Sequence, residues 1–272
     1  MSRLPQRIVC LSTETVEVLY ALGEESRIAG ISGFTVRPAR ARKEKPKVSG
    51  FSSARPDKIL AVQPDLVLAF SDLQADICRE LVRAGVEVHH FNQRDIAGIL
   101  RMIDTVGRLV GREDRAAAYI ARLEAGIEEV RRRAAQLPRR PRVYFEEWDQ
   151  PMISGIRWVH ELIAIAGGED IFPELSLRPV ASERIVADPL EVVRRAPDII
   201  IGSWCGKKFQ PDRVRARPGW QALPAVREAE LHEIKSPVIL TPGPAALTDG
   251  LSCLSEIVCR WAGRQPLRGV SQ

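Results

Sequence analysis

The sequence lacks the long hydrophobic segments of membrane and secreted proteins. Its 272 residues contain no run approaching the roughly 18 apolar residues of a membrane-spanning helix, so we expect no direct membrane insertion. The first residues, Met1–Thr13, also lack the apolar stretch of a signal peptide. As written, the chain is expected in the cytoplasm, or in the periplasm if a signal sequence was removed.

The motifs of common enzyme classes are missing too. There is no G-x-S-x-G pattern, no P-loop and no G-x-G-x-x-G pattern. The five cysteines are odd in number and include no C-x-x-C pair, which disfavours both a disulfide framework and a cysteine-rich zinc site. We therefore expect a protein that is not an enzyme and has no intrinsic cofactor. Cys205 is the alternative candidate, because Lys207 and Lys208 nearby would favour a nucleophilic thiolate.

Histidine is scarce, with four residues in the chain, and this limits metal binding. A transition-metal site needs several imidazole and carboxylate ligands that converge. His89 and His90 are adjacent, so on a strand they would face opposite sides. His160 lies within an amphipathic helical pattern. We predict no metal site.

The basic residues exceed the acidic ones only slightly, giving a net charge of +5. They concentrate in two clusters, around 37–47 and 131–142, and neither cluster alternates with aromatic residues as nucleic-acid-binding modules do. We interpret both as solvated surface and expect no nucleic-acid partner. We expect a monomer.

Apolar strand patterns alternate with helical patterns along most of the chain, which is typical of an α/β fold with parallel sheets. One helical pattern, 113–137, is much longer than the others. The apolar runs predicted as strands are 8–11, 27–32, 66–70, 86–91, 143–145 and 198–201.

The alternation restarts after the long helix, and the restart indicates an internal repeat. Pro56, seven residues, then Pro-Asp and three aliphatic residues recur from Pro189. Two similar units are therefore expected. We predict an N-terminal lobe (1–112), a linking helix (113–138) and a C-terminal lobe (139–272), with a ligand cleft between the lobes.

Parallel sheets bind ligands at the carboxyl ends of their strands, so the residues there are the candidate binding residues. They include four aromatic residues and few titratable ones, which suits a large, partly apolar, planar ligand. The polar neighbours of Trp148 and Trp204 place these two outside the core. By contrast, we interpret the run Glu146, Glu147 and Asp149 as a solvated loop. The predicted ligand-binding residues are Phe51, Ser52, Phe70, Ser71, Asp72, Glu147, Trp148, Ser203, Trp204 and Cys205.

Several segments together resemble one family, the class III substrate-binding proteins of ABC importers for cobalamin and iron-siderophores, and most of all its vitamin B12-binding branch. A Gly-Gly-x-x-x-Phe motif of that family stands at Gly167–Phe172. The other matching segments are RIVCLSTETVEVLYALG (7–23), KVSGF (47–51), DKILAVQPDLVLAF (57–70), SGIRWVHELIAIAGGEDIF (154–172), DPLEVVRRAPDIII (188–201) and GWQALPAV (219–226).

The resemblance implies two parallel-sheet lobes joined by one long helix, a cobalamin-type corrinoid as the ligand, and an ABC permease as the partner. It places Phe51 and Phe70 at aromatic positions of the ligand cleft. It also implies that Asp76 docks to the transporter from the first lobe, and Asp188 or Glu183 from the second. The alternatives are haem or a ferric siderophore as the ligand, or a corrinoid-handling enzyme that depends on Cys205.

Overall fold

The computed structural model describes residues 4–51 and 55–264. The chain divides into two compact units. The first runs to Glu124 and includes the later segment Thr241–Pro244; the second comprises Ala125–Leu240 and the chain from Ala245. Their boundary falls within a single 22-residue helix, Glu113–Ala134, which begins at the residue predicted from sequence.

The first unit contains a five-stranded parallel sheet in the order β3-β2-β1-β4-β5. Because all five strands run the same way, their carboxyl ends lie along one edge. The two central strands are buried throughout, which accounts for their uninterrupted apolar sequences. The strands are β1 (Ile8–Cys10), β2 (Ile28–Ser32), β3 (Lys47–Ser49), β4 (Leu66–Phe70) and β5 (Val88–Phe91).

Helices follow the strands of the first unit, and the long helix comes after them. The helix over Ile96–Val110 shows why its bounds were predictable: Asp95 accepts a hydrogen bond from the Gly98 amide at 2.7 Å, and Gly111 ends it with φ of 66°. The helices are α1 (Thr13–Ala21), α2 (Ala41–Glu44), α3 (Pro56–Leu60), α4 (Ala75–Arg83), α5 (Ile96–Val110) and α6 (Glu113–Ala134). Short 3₁₀ turns cover Glu25–Arg27 and Asp72–Gln74.

The second unit contains a mixed sheet in the order β10-β9-β6-β7, with one further short strand beside β6. Only β7 is antiparallel to its neighbour; the remaining pairs are parallel. The strands are β6 (Arg142–Asp149), β7 (Met152–Ser154), β8 (Glu169–Asp170), β9 (Ile199–Gly202) and β10 (Leu231–Glu233).

The helices of the second unit are mostly short, and several begin at a proline. Its core gathers the aromatic rings of Tyr144, Trp204 and Trp220 around β9. The helices are α7 (Arg157–Ile165), α8 (Pro173–Ser176), α9 (Leu190–Arg195), α10 (Pro211–Arg215), α11 (Pro224–Arg227), α12 (Ser236–Ile239) and α13 (Leu251–Arg264). Further single turns cover Ala181–Arg184, Trp220–Ala222 and Ala246–Gly250. Within the described ranges, no helix is both long and apolar enough to cross a bilayer.

The repeated Pro-Asp motif has the same structural role in each unit. Asp65 accepts hydrogen bonds from the amides of Gln6 (2.7 Å) and Arg7 (2.9 Å), and its own amide donates to the Arg7 carbonyl (3.0 Å). Asp198 pairs with Arg142 in the same way: the Arg142 amide donates to the carboxylate, and the Asp198 amide donates to the Arg142 carbonyl, both at 2.8 Å. In each unit the aspartate therefore aligns the start of one strand with the central strand beside it.

The α/β fold with parallel sheets is confirmed, and two local predictions are corrected. The segment 33–51, where the sequence predicted no strand, contains α2 and β3; β3 is a three-residue strand at the sheet edge, too short to give an apolar pattern. The run Glu146–Asp149, expected to be a solvated loop, is the second half of β6. It was misread because its carboxylates are paired inside the protein.

Truncating either repeated aspartate should loosen the start of a central strand. We expect Asp65→Ala and Asp198→Ala each to lower the free energy of unfolding by about 1 kcal/mol, since hydrogen bonds of this kind contribute about 0.5–1.5 kcal/mol. That corresponds to a fall of about 2–4 °C in the thermal unfolding midpoint measured by circular dichroism. Asp212→Ala, which removes a carboxylate with a side chain 95% exposed, is the control. Equal midpoints for all three variants would contradict this role.

Candidate functional site

A buried glutamine ties together three strand ends at the carboxyl edge of the first sheet. The side-chain amide of Gln74 donates to the carbonyls of Leu11 (3.1 Å) and Phe51 (2.9 Å). Its oxygen accepts from the amide of Phe70 at 2.9 Å. Gln74 thus positions the chain after β1, β3 and β4. The sequence analysis missed it, because a single glutamine in a helical pattern carries no visible signal.

The same edge carries several buried polar atoms with no hydrogen-bond partner among the described residues. Such an atom costs about 1–3 kcal/mol when it stays unpaired, so native proteins contain few of them. All five strands end beside one, and this concentration marks the edge as a candidate binding surface. The atoms are Ser12 Oγ, Thr35 Oγ1, Ser49 Oγ, Ser71 Oγ and Gln93 Oε1.

Large apolar side chains are exposed at this edge. Phe34, just after β2, is 68% exposed, and Leu73, just after β4, is 62% exposed. Phe51 is half-buried, whereas Phe70 is only 6% exposed and lies beneath the guanidinium of Arg94. Neither Phe34 nor Leu73 was among the predicted binding residues. Phe34 could have been found by inspecting the residues after the predicted strand 27–32.

The remaining predicted residues of the first unit follow β4. Ser71 is buried in a left-handed conformation with φ of 66°, and His90 Nε2 lies 2.8 Å from its carbonyl oxygen. Asp72 is exposed and forms an ion pair with Arg94 at 3.0 Å. Ser52 lies outside the described residues.

A buried carboxyl group occupies the first turn of α1. Glu14 is 2% exposed, and its Oε1 has no hydrogen-bond partner among the described residues. Burial raises the pKa of Glu14 to about 7, and a hydrogen bond from the backbone offsets this only in part. Gly243 approaches Glu14 so closely that any Cβ would lie 2.4 Å from the Glu14 Cβ, so only glycine fits there.

A buried ion pair organises the strand ends of the second unit. Glu146 is fully buried, and Arg217 holds both of its carboxylate oxygens, at 2.6 and 2.9 Å. The Tyr144 hydroxyl and the Trp204 indole each donate to the same carboxylate at 3.0 Å. Burial and the nearby Glu146 charge raise the pKa of Tyr144 well above its usual range.

Glu147, a predicted binding residue, is engaged within the protein. Its carboxylate pairs with the buried guanidinium of Arg184, whose Nη1 lies 2.5 Å from Glu147 Oε2 and also donates to the Ser154 carbonyl at 2.6 Å. The Glu147 side chain remains 21% exposed. It therefore presents a neutralised carboxylate rather than a free one.

Trp148 carries a cation on its ring. Lys207 Nζ lies 4.0 Å from the centroid of the Trp148 ring, and it also bonds to the carboxylate of Asp149. Arg213 lies 3.1 Å from the other oxygen of that carboxylate. Burial opposes ionisation of Asp149, but the hydrogen bond and charge of Lys207, with Arg213, lower its pKa overall. The Trp148 indole donates to the Gln150 carbonyl at 2.8 Å, which fixes the half-buried ring.

Trp204 was expected to lie outside the core, but the structure places it inside. It is 2% exposed and packs edge-on against Phe209, with ring centroids 5.0 Å apart. Its indole donates a hydrogen bond to Glu146 at 3.0 Å, and Lys207 lies over its ring, 5.2 Å from the centroid. Ser203 is also buried, at 1% exposure, and its hydroxyl has no partner among the described residues.

Cys205 is exposed, but its thiol is not activated. Partial burial of the sulfur raises its pKa, and the negative charge of Glu147 raises it further; a hydrogen bond with Ser236 lowers it only in part. The expectation that Lys207 and Lys208 favour a thiolate is therefore wrong, because Lys207 is directed to Asp149.

Beside Cys205, the second unit opens into a pocket of about 600 Å³. It lies at the carboxyl ends of β9 and β10, where a ligand of a parallel sheet is expected. Its lining combines an indole with several lysines. The lining residues are Trp204, Gly206, Lys207, Lys208, Glu233, Lys235, Ser236 and Pro237.

The predicted docking residues are surface carboxylates at helix starts. The Asp76 side chain, in the first turn of α4, is 85% exposed and pairs with Arg79 at 3.0 Å. Asp188 accepts from the Leu190 amide at the start of α9. The hydrogen bond from Arg194 lowers its pKa. Among the described residues, no three histidine, cysteine or acidic side chains are grouped to hold a metal ion.

Comparison with known proteins finds a matching family and several similar proteins. Residues 8–238 match the family described as "Periplasmic binding protein". An uncharacterized ABC transporter substrate-binding lipoprotein of Bacillus subtilis is 23% identical, with 93% of this chain and 80% of that protein covered. A vitamin B12-binding protein of Pectobacterium carotovorum is 26% identical over 85% of this chain and 81% of its own length. A cobalamin-binding protein of Halobacterium salinarum is 26% identical over 72% of this chain, which spans about half (53%) of that relative.

Solved structures show the same fold at low sequence identity. A possible iron-binding, periplasmic solute-binding protein of Staphylococcus epidermidis superposes with a TM-score of 0.81 at 19% identity, covering 94% of this chain and 99% of the other. The periplasmic heme-binding protein of Roseiflexus reaches 0.77 at 22% identity, covering 93% and 99%. These likenesses establish the fold and leave the ligand open.

The buried carboxyl of Glu14 should make stability depend on pH. Its folded-state pKa of about 7 exceeds the usual 4.5, so the folded state binds the proton more tightly and loses stability as pH rises. We expect Glu14→Gln to match the wild type near pH 4 and to be more stable by about 3 kcal/mol at pH 8, from urea unfolding. Glu80→Gln, at an exposed position on α4, controls for the lost charge. A difference that does not change with pH would contradict the assignment.

Proposed function

The chain belongs to the periplasmic binding protein family, and from that premise we propose that it binds a cobalamin-type corrinoid as the substrate-binding component of an ABC importer. It acts by holding the ligand and presenting it to a permease. No catalytic step is part of this role.

The observation that carries the proposal is the apolar and aromatic character of the strand ends in both units. Phe34, Phe51 and Leu73 stand at the edge of the first sheet, and Trp148 stands in the second unit. Apolar side chains grouped at one exposed edge commonly mark a binding surface. A corrinoid macrocycle is broad and partly apolar, so it suits such contacts, while its amide groups suit the unpaired hydroxyls of Ser71 and its neighbours.

Haem is the second candidate, and the distribution of iron ligands disfavours it. Haem proteins commonly supply an axial histidine or tyrosine, whereas cobalamin brings its own lower ligand. Tyr144 is buried against Glu146, His160 is paired with Asp170, and His232 is paired with Glu230. His90 is exposed at the carboxyl edge of the first sheet, and its Nε2 is engaged by the Ser71 carbonyl at 2.8 Å.

Docking to the permease is assigned to the two surface carboxylates, Asp76 and Asp188. Both lie at helix starts and are largely exposed, so each can exchange its intramolecular arginine for a basic residue of the transporter. Exchange of this kind costs little, because exposed ion pairs contribute only about 0–1 kcal/mol.

Removing the Trp148 ring should weaken corrinoid binding. Burial of an aromatic side chain contributes about 1.5–3 kcal/mol, so Trp148→Ala should raise the Kd for cyanocobalamin about 10- to 100-fold in a tryptophan-fluorescence titration. Leu190→Ala, which truncates an apolar side chain 47% exposed on α9, is the matched control and should leave the Kd unchanged.

An unchanged Kd in Trp148→Ala would show that this surface does not contact the ligand. Trp204→Ala is the less informative variant, because this ring is buried in the core and its loss also leaves Glu146 with one donor fewer. The two variants should therefore differ: Trp148→Ala changes affinity with a small fall in the unfolding midpoint, and Trp204→Ala gives a larger fall.

A further inference from the structure

Positive charge is concentrated around the pocket of the second unit. The chain has seven lysines, since arginine supplies most of its basic residues, and three of the seven line this pocket: Lys207, Lys208 and Lys235. Lysine presents a compact, mobile charge on a long stem, which suits an anionic group that arrives from solution.

Two of these lysines have no counter-charge in the part of the chain that the structure describes. Lys208 and Lys235 are exposed, and no carboxylate of the described residues forms an ion pair with either. Lys207 differs, because Asp149 and the Trp148 ring hold it in place. The pocket therefore presents two free ammonium groups on its rim and one fixed ammonium group beside an indole.

The acidic residue of the pocket does not neutralise them. Glu233 Oε1 accepts a hydrogen bond from the Phe209 amide at 3.0 Å, which ties this carboxylate to the backbone after β9. Since Lys207 is paired with Asp149, two unpaired lysines and one glutamate remain, and the lining carries an excess of positive charge. Such a concave, positively charged surface raises the local concentration of anions.

We propose that this pocket is an anion subsite, in which Lys208 and Lys235 hold a phosphate or carboxylate group of the bound ligand against Trp204. This inference rests on the proposed function and narrows it: the ligand carries an anionic arm. A volume of about 600 Å³ suits a side group or a small molecule rather than a whole corrinoid. The phosphodiester of the cobalamin nucleotide loop is the group of this kind in a corrinoid.

Two corrinoids that differ in this arm provide the test. Cyanocobalamin has the nucleotide loop with its phosphodiester, whereas dicyanocobinamide lacks both. We expect the wild-type protein to bind cyanocobalamin about tenfold more tightly than dicyanocobinamide. The preference should shrink in about 1 M NaCl, where the screening length falls to about 3 Å.

The lysines are tested by the charge-removing double variant Lys208→Gln/Lys235→Gln. It should lose about tenfold in affinity for cyanocobalamin and should leave dicyanocobinamide within about twofold, since each exposed contact contributes about 0.2–1 kcal/mol. Lys58→Gln, at an exposed position on α3, is the control for charge. An equal loss for both corrinoids, or no loss for either, would overturn the subsite while leaving corrinoid binding intact.

Haemin and its dimethyl ester separate the subsite from the proposed function. If neither corrinoid binds but haemin does, and if the double variant weakens haemin and not the ester, then the subsite stands with propionate carboxylates as its anion, and the corrinoid proposal falls. If haemin and the ester bind equally well to both proteins, the subsite falls as well. Binding of none of the four probes contradicts both proposals.

Discussion

The second unit depends on one buried ion pair, that of Glu146 with Arg217. A carboxylate in the middle of a buried strand is tolerated only when its charge and lone pairs are satisfied. Arg217 grips both oxygens, and the Tyr144 hydroxyl and Trp204 indole complete the set. Loss of either charge alone costs about 3–5 kcal/mol in such pairs. The pair therefore holds the chain after β9 against the end of β6, where Trp148 and the lysine pocket lie.

The first unit reaches a comparable result at its carboxyl edge with a neutral side chain, Gln74. Gln74 joins the chain after β1, β3 and β4, and an aspartate aligns the opposite ends of the central strands. The rigid framework allows polar atoms such as Ser71 Oγ to remain buried and unpaired at the edge. In both units these contacts stabilise the sheet, and the proposed ligand-binding groups lie at its carboxyl edge.

The sequence was sufficient for the fold because its signals are local. The apolar run 66–70 matches β4, the α5 pattern ends at Gly111, and the repeated Pro-Asp pairs reflect a hydrogen-bonding role found in both units. The site was harder to predict, because its residues depend on partners distant in sequence. Glu146 was interpreted as a loop carboxylate because its partner, Arg217, is 71 positions away in the sequence. The Cys205 thiol was expected to be activated because the sequence does not reveal that Lys207 pairs with Asp149. The place of Phe34 and Gln74 in the site becomes apparent only when the fold brings the strand ends together.

The central claim is that this protein recognises a corrinoid, and competitive equilibrium dialysis tests it most directly. Purified protein is loaded with cyanocobalamin and then dialysed against equal concentrations of haemin or a ferric siderophore, with retained cobalt measured by elemental analysis. The account predicts that cyanocobalamin is retained at one molecule per chain and that neither competitor displaces it. Displacement by haemin or the siderophore, or failure to retain cobalt at all, would contradict it.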